Sequence, residues 1–147
     1  MKSISRIASL VALGFAVFGM VFLVFKNNLF SLNPFGITVQ VLAAVLMLWA
    51  RITFGKRSFH AGANPTEGGL VTSGPYHFLR HPIYASLTYF VWAGVLSNAS
   101  TEVIAAAVVV TLALLIRILL EEQFLIAAYP EYQEYSKRAK RLIPFLL

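Results

Sequence analysis

Four hydrophobic blocks alternate with polar segments along this chain. The first covers residues 7–25 and contains no charge. At 1.5 Å per residue, a helix of that length reaches roughly 28 Å, enough to cross a hydrocarbon core about 30 Å thick. Lys26, Asn27 and Asn28 end it. The second block, 35–50, is closed by Arg51 and preceded by Asn33-Pro34, which suits a helix start with proline in the first turn. The third, 84–96, is followed by the polar turn Ser97-Asn98-Ala99-Ser100-Thr101-Glu102. The fourth, 103–120, holds one charge, Arg117, and leads into Glu121-Glu122 and a tyrosine-rich tail. The third block is short for a full span, so its helix either begins before Tyr84 or lies where the bilayer thins. The pattern predicts an all-α integral membrane bundle of about four transmembrane helices, with a cytoplasmic loop and a C-terminal amphipathic helix. No repeat or linker divides it, which predicts a single membrane domain over 1–147. Two N-terminal spans fill 1–54, and a core of two spans with a C-terminal cap fills 55–147.

Composition agrees. Hydrophobic residues make up 59% of the chain and charged residues 12%, with a mean hydropathy of +0.75. A soluble domain carries about 25% charged residues to cover its surface. The chain has no cysteine, which excludes disulfides, thiolate metal sites and cysteine nucleophiles. Its net charge of +6 would raise nucleic acid as a partner for a soluble protein, but here topology explains it and no nucleic-acid partner is expected. With the N-terminus inside, the inner segments hold Lys2, Arg6, Arg51, Lys56, Arg57, Arg80, Lys137, Arg138, Lys140 and Arg141. The outer loops hold only Lys26. This asymmetry predicts an even number of spans and both termini in the cytoplasm. A cleaved signal peptide over the first block is a poorer reading, because the apolar run is too long and no small-x-small site precedes Lys26.

The chemistry-bearing residues gather on the side assigned to the cytoplasm. The connection 55–82 is rich in Gly, Ser, Thr, Asn and Pro, and it carries all three histidines, His60, His77 and His81. Connections that long are uncommon unless they do something. Proline at 82 suits the first turn of the third helix, where free backbone N–H groups would face an anion or a polar cofactor. The plainer alternative is an interfacial loop, with Tyr and Phe as anchors and Arg80 reaching out to headgroups. Arg117 and Glu121 are four apart and share a helix face. They are either a self-satisfied ion pair ending the span or part of a ligand site. Tyr132 and Tyr135 suit one face of a short helix, followed by four basic residues, which reads as an amphipathic helix on anionic lipid. His77 and His81 are four apart, but Pro82 interrupts a common helix face, so no metal site is expected. Phosphate-binding, dinucleotide and nucleophile-elbow motifs are absent from the sequence.

Taken in order, these residues resemble the isoprenylcysteine carboxyl methyltransferase family and its wider relatives, the phospholipid methyltransferase-like proteins of bacteria. The resemblance rests on Leu70-Val71-Thr72-Ser73-Gly74-Pro75-Tyr76, Arg80-His81-Pro82-Ile83-Tyr84, Glu121-Glu122, and Tyr132-Gln133-Glu134-Tyr135 with Arg141 and Pro144 behind. It covers roughly 68–145. It implies a methyltransferase-like core using S-adenosyl-L-methionine, bound at the cytoplasmic face under the C-terminal segment. Carried over, the cofactor would lie against Leu70, Val71, Tyr76, His81, Pro82, Ile83 and Tyr84, with Glu121 as the acidic contact. Arg117 would face the acceptor. A carboxylate acceptor needs no base, whereas an amine or hydroxyl would need one, for which His81 and Glu122 are the candidates. His60-Ala61-Gly62 stands where the family carries a glutamine, and Pro130 where it usually has glycine. The implied partners are a lipophilic small-molecule or lipid acceptor and the membrane lipids. Two rival readings are a nicotinamide-dependent membrane reductase, since sterol reductases share an RHPxY-like element, and a non-enzymatic membrane protein that binds lipid or a partner.

Overall fold

A computed structural model of the chain describes residues 2–55 and 69–143, with side chains from Ile4 onward. Five α-helices appear there: α1 (Lys2–Phe25), α2 (Pro34–Phe54), α3 (Pro82–Val95), α4 (Thr101–Ala128) and α5 (Tyr132–Arg138). A short 3-10 turn, Gly74–His77, precedes α3. Among the described residues there is no strand, only one isolated parallel bridge between Leu79 and Lys140. His60, Lys56, Arg57 and Pro144 lie outside the described residues.

Three helices, α1, α2 and α4, are long and apolar enough to cross a membrane. The fourth expected span is shorter. α3 has 14 residues, roughly 21 Å, because Pro82 has no amide hydrogen to continue a helix backwards and disfavours helical backbone at His81. The segment joining α1 to α2 folds over the other end of α3. Gln40, buried on α2, donates to the carbonyls of Leu29 (2.7 Å) and Phe90 (3.0 Å) and accepts from the amide of Ser31 (2.9 Å). Phe30 stands edge-on to Phe90 at 5.8 Å. At Gly94 a side chain would collide with the backbone of Leu29 and Asn28.

Helix ends follow local chemistry. Asn33 Oδ1 accepts from the amide of Gly36 at 2.7 Å and caps α2, with Pro34 beside it, as the sequence predicts. Ser100 caps α4. α1 packs along α4, α2 along α3, and α3 joins the two pairs. The core lies between them, around Leu23, Val91, Val95, Val103, Val110 and Leu114. Consecutive helices run in opposite directions. Lys26, Ser31, Asn33, Ser97 and Glu102 therefore meet at one end. The start of α1, the 3-10 turn and the C-terminal segment lie at the other. At 28 residues, α4 exceeds the roughly 20 that span a hydrocarbon core, so its last turns, from about Glu121 onward, extend into that second end.

Candidate active site

The second end is built on Glu122. Its side chain is 7% exposed and takes three cationic or histidine partners. Arg80 Nη1 lies 2.8 Å from Oε1, Arg141 Nη2 2.9 Å from Oε2, and His81 Nε2 3.3 Å from Oε1. Arg80 and His81 belong to the loop before α3, and Arg141 to the C-terminal segment. One carboxylate thus ties three parts of the chain together. The backbone repeats the connection: the amide of Arg80 donates to the carbonyl of Lys140 (2.6 Å), that of His81 to Arg141 (3.2 Å), and that of Lys140 to Phe78 (3.0 Å). The amides of Arg80 and His81, just ahead of α3, are therefore taken by the C-terminal segment. Arg80, read from sequence as a possible headgroup contact, instead turns inward, with its side chain 12% exposed.

α5 closes over this loop. Tyr132 and Tyr135 share its buried face, with ring centroids 5.9 Å apart, and pack with Leu70, Leu125, Tyr129 and Ala139. The Tyr135 hydroxyl donates to the carbonyl of Tyr76 at 2.6 Å. Burial pushes the phenols of Tyr132 and Tyr135 up from their ordinary range, so both stay protonated at neutral pH. The apolar face of this short helix thus covers protein, while Gln133, Glu134, Lys137 and Arg138 face outward.

A second group lies on the neighbouring face of α4. Tyr84 interacts through its hydroxyl with both Arg117 and Glu121, and the Arg117 guanidinium sits 5.9 Å from the Tyr84 ring centre. The Tyr76 phenol, raised first by burial and then by the charge of Glu121, lies within the electrostatic reach of that carboxylate and of Arg51. Its ring packs against Phe54 at 5.5 Å. Arg117 is buried and donates from Nη1 to the carbonyl of Ser9 on α1 at 2.8 Å. Glu121 is half-buried.

The residues singled out in the sequence thus fall into two adjoining groups. Tyr76, Tyr84, Arg117 and Glu121 form one. His81 and Glu122 belong to the other, with the His81 ring turned onto Glu122 and 5.8 Å from Tyr84. Leu70 lies under α5, while Val71 and Ile83 are half-buried and Pro82 is buried at the head of α3. Sequence reasoning missed Ser9, the partner of Arg117, and the pairing of Arg80 with Glu122. Both link residues far apart in the chain and leave no local spacing to read. Among the described residues, no group of three or more His, Asp or Glu is arranged to hold a metal.

Comparison with known proteins adds a lineage to this geometry. The sequence model described as phospholipid methyltransferase matches residues 32–132, which run from the cap of α2 to the start of α5. The chain belongs to the phospholipid methyltransferase family. Among curated relatives, it is 35% identical over 123 residues to the cobalt-zinc-cadmium resistance protein CzcN of Cupriavidus metallidurans, covering 80% of this chain and 50% of that protein. It is 34% identical over 119 residues to protein-S-isoprenylcysteine O-methyltransferase B of Arabidopsis thaliana, covering 78% of this chain and 60% of that protein. A shorter match, 38% over 71 residues, joins it to methanethiol S-methyltransferase 1 of Bradyrhizobium diazoefficiens, covering 48% of this chain and 24% of that protein. The chain spans about half the length of the first curated relatives it matches. No solved structure matches it.

Proposed function

We propose that this chain is an S-adenosylmethionine-dependent methyltransferase of the bacterial inner membrane, with its site on the cytoplasmic side and a lipophilic, anionic acceptor. The observation that carries this reading is the convergence of Tyr76, Tyr84, Glu121 and Arg117 at one end of α4, beside a loop held under α5. Relatives named for O- and S-methylation support the reaction class.

The donor set suits the cofactor. A half-buried carboxylate, Glu121, suits an amino group or ribose hydroxyls. The rings of Tyr76 and Tyr84 suit an adenine or a sulfonium, since aromatic faces attract both flat bases and cations. Leu70, Val71, Pro82 and Ile83 supply apolar wall. The bound cofactor would supply an activated methyl group on a sulfonium sulfur. The protein's own task is then to position the acceptor in line and to exclude water. Arg117 orients an anionic acceptor, and α5 with Tyr132 and Tyr135 keeps water out.

An anionic oxygen acceptor also fits the state of the two base candidates. His81 and Glu122 are engaged with each other, and Glu122 holds two arginines besides. Freeing either for proton transfer would break the link that holds the loop to the C-terminal segment. A carboxylate acceptor asks for no proton transfer, so Glu122 serves as an anchor and His81 positions the loop.

Calorimetric titration of detergent-purified protein with S-adenosylmethionine and its demethylated product tests the cofactor. Micromolar binding that Glu121→Gln weakens at least tenfold, with Arg117→Gln leaving it within about twofold, is the expected result. No binding by a folded, helical sample would sink the assignment and bring the nicotinamide reading forward.

A further inference from the structure

Arg117 is held from a helix outside the segment that matches the family model. That segment begins at residue 32, whereas the guanidinium donates to the carbonyl of Ser9, on α1. A helical carbonyl keeps a second lone pair after accepting its own intrahelical bond, so Ser9 can take this extra donor without breaking α1. The seam between α1 and α4 is made of small residues. Ser9, Ala12 and Ala16 are all buried, and a side-chain carbon added at Gly19 would come within 2.6 Å of Val110 Cγ2. Their spacing of three and four residues keeps them on one face, and their size lets the helix backbones approach closely. Position 9 is therefore a fixed acceptor, set by the docking of α1 rather than by its own side chain.

The Ser9 hydroxyl behaves unlike its counterparts on the other long helices. Thr53 and Thr111 each donate to the carbonyl four residues before. Ser9 Oγ is buried and makes no hydrogen bond. What residue 9 offers Arg117 is its carbonyl and its small volume.

We infer that Ser9 is a positioning residue for Arg117, so that α1 sets where the acceptor's anionic group is held. This rests on the proposed role of Arg117 in acceptor binding. A large side chain at position 9 has no free volume against α4. It pushes the carbonyl away and releases the guanidinium. Alanine keeps both the carbonyl and the size and removes an unsatisfied hydroxyl.

The test uses the full chain in detergent, with dodecanoate as the acceptor probe and S-adenosylmethionine as the donor probe. Ser9→Leu and Ser9→Val should raise the dodecanoate Kd at least about tenfold and leave the donor Kd within about twofold, as expected for loss of a hydrogen bond to a charged group. Ser9→Ala should bind dodecanoate like the parent and melt no lower. In an Arg117→Gln background Ser9→Leu should have no further effect on dodecanoate, the non-additivity of residues acting as one unit. Nitrogen NMR of the Arg117 guanidinium should show hindered rotation in the parent and Ser9→Ala, and free rotation in Ser9→Leu. A freely rotating guanidinium in the parent overturns the inference, as does a Ser9→Leu protein with parental spectrum and affinity. A held guanidinium released by Ser9→Leu, in a parent that ignores dodecanoate, supports the positioning and overturns the anionic-acceptor reading instead.

Discussion

Glu121 and Glu122 are neighbours in sequence, yet successive residues on a helix point about 100° apart, so they face different surroundings. Glu121 faces the Tyr84 and Tyr76 phenols. Glu122 is enclosed by Arg80, His81 and Arg141. The two carboxylates should separate cleanly under substitution. Glu122→Gln leaves Arg80 and Arg141 without their counter-charge and should cost about 3 kcal/mol, at the low end for a buried pair because Arg141 is partly exposed. It should appear as a lower melting temperature and as earlier proteolytic release of the C-terminal segment. Glu121→Gln should leave melting nearly unchanged and weaken methyl-donor binding. A reversed pattern would exchange the roles assigned to the pair. Tyr135→Phe removes one hydrogen bond, to the Tyr76 carbonyl, and should cost about 1 kcal/mol in the same unfolding measurement.

Between elements, close approach at glycine decides which helix faces can meet. Gly94→Ala places a methyl group against the Leu29 and Asn28 backbone, which cannot rotate aside. It should destabilise by about 1–3 kcal/mol. Gly14→Ala meets nothing within 4 Å and should be neutral or slightly stabilising, since alanine is the better helix former. Thermal unfolding of the two proteins side by side checks the packing of the α1–α2 segment on α3. This is also the scale at which the sequence is only partly legible. Asn33-Pro34 and Pro82 announce helix starts because capping and proline geometry are local. Tyr132 and Tyr135 announce a shared helical face because helical spacing is local, but the sequence lays that face on anionic lipid, whereas the fold turns it onto Leu70, Leu125 and Tyr129. The shortness of α3 is visible in its apolar run, but what compensates for it is not. Gln40 is a single polar residue in an apolar helix, and only the fold brings it to Leu29 and Phe90. The pairs His81–Glu122 and Ser9–Arg117 span 41 and 108 residues, beyond any periodic signal. The candidate motif is readable as a set of residues. Its division into a Glu122 anchor and a Glu121–Tyr84–Arg117 group emerges only from the folded chain.

Across the whole molecule, charge and polarity separate along the helix axes. Arg51, Arg80, Lys137, Arg138, Lys140 and Arg141 lie at the end that carries the site. At the opposite end Lys26 is paired with Glu102 at 2.5 Å, so that ion pair adds no net charge there. A cytoplasmic location for the charge-rich end is the orientation expected from the cost of moving cations across a membrane against its potential. Under the proposed function that orientation would give the site access to a water-soluble donor, and the exposed apolar faces of α1, α2 and α4 would leave an acceptor's tail in lipid. The absence of cysteine makes this orientation directly measurable. In intact cells, a membrane-impermeant maleimide should label a single cysteine at Asn98, in the turn between α3 and α4. It should leave one at Gln133, on the exposed face of α5, unlabelled until the cells are lysed. The opposite pattern would place the candidate site outside the cell, away from the intracellular donor, and would remove the proposed function with it. Labelling of both positions from outside would contradict the alternation of the helices itself, because α4 could not then carry the chain from one side to the other.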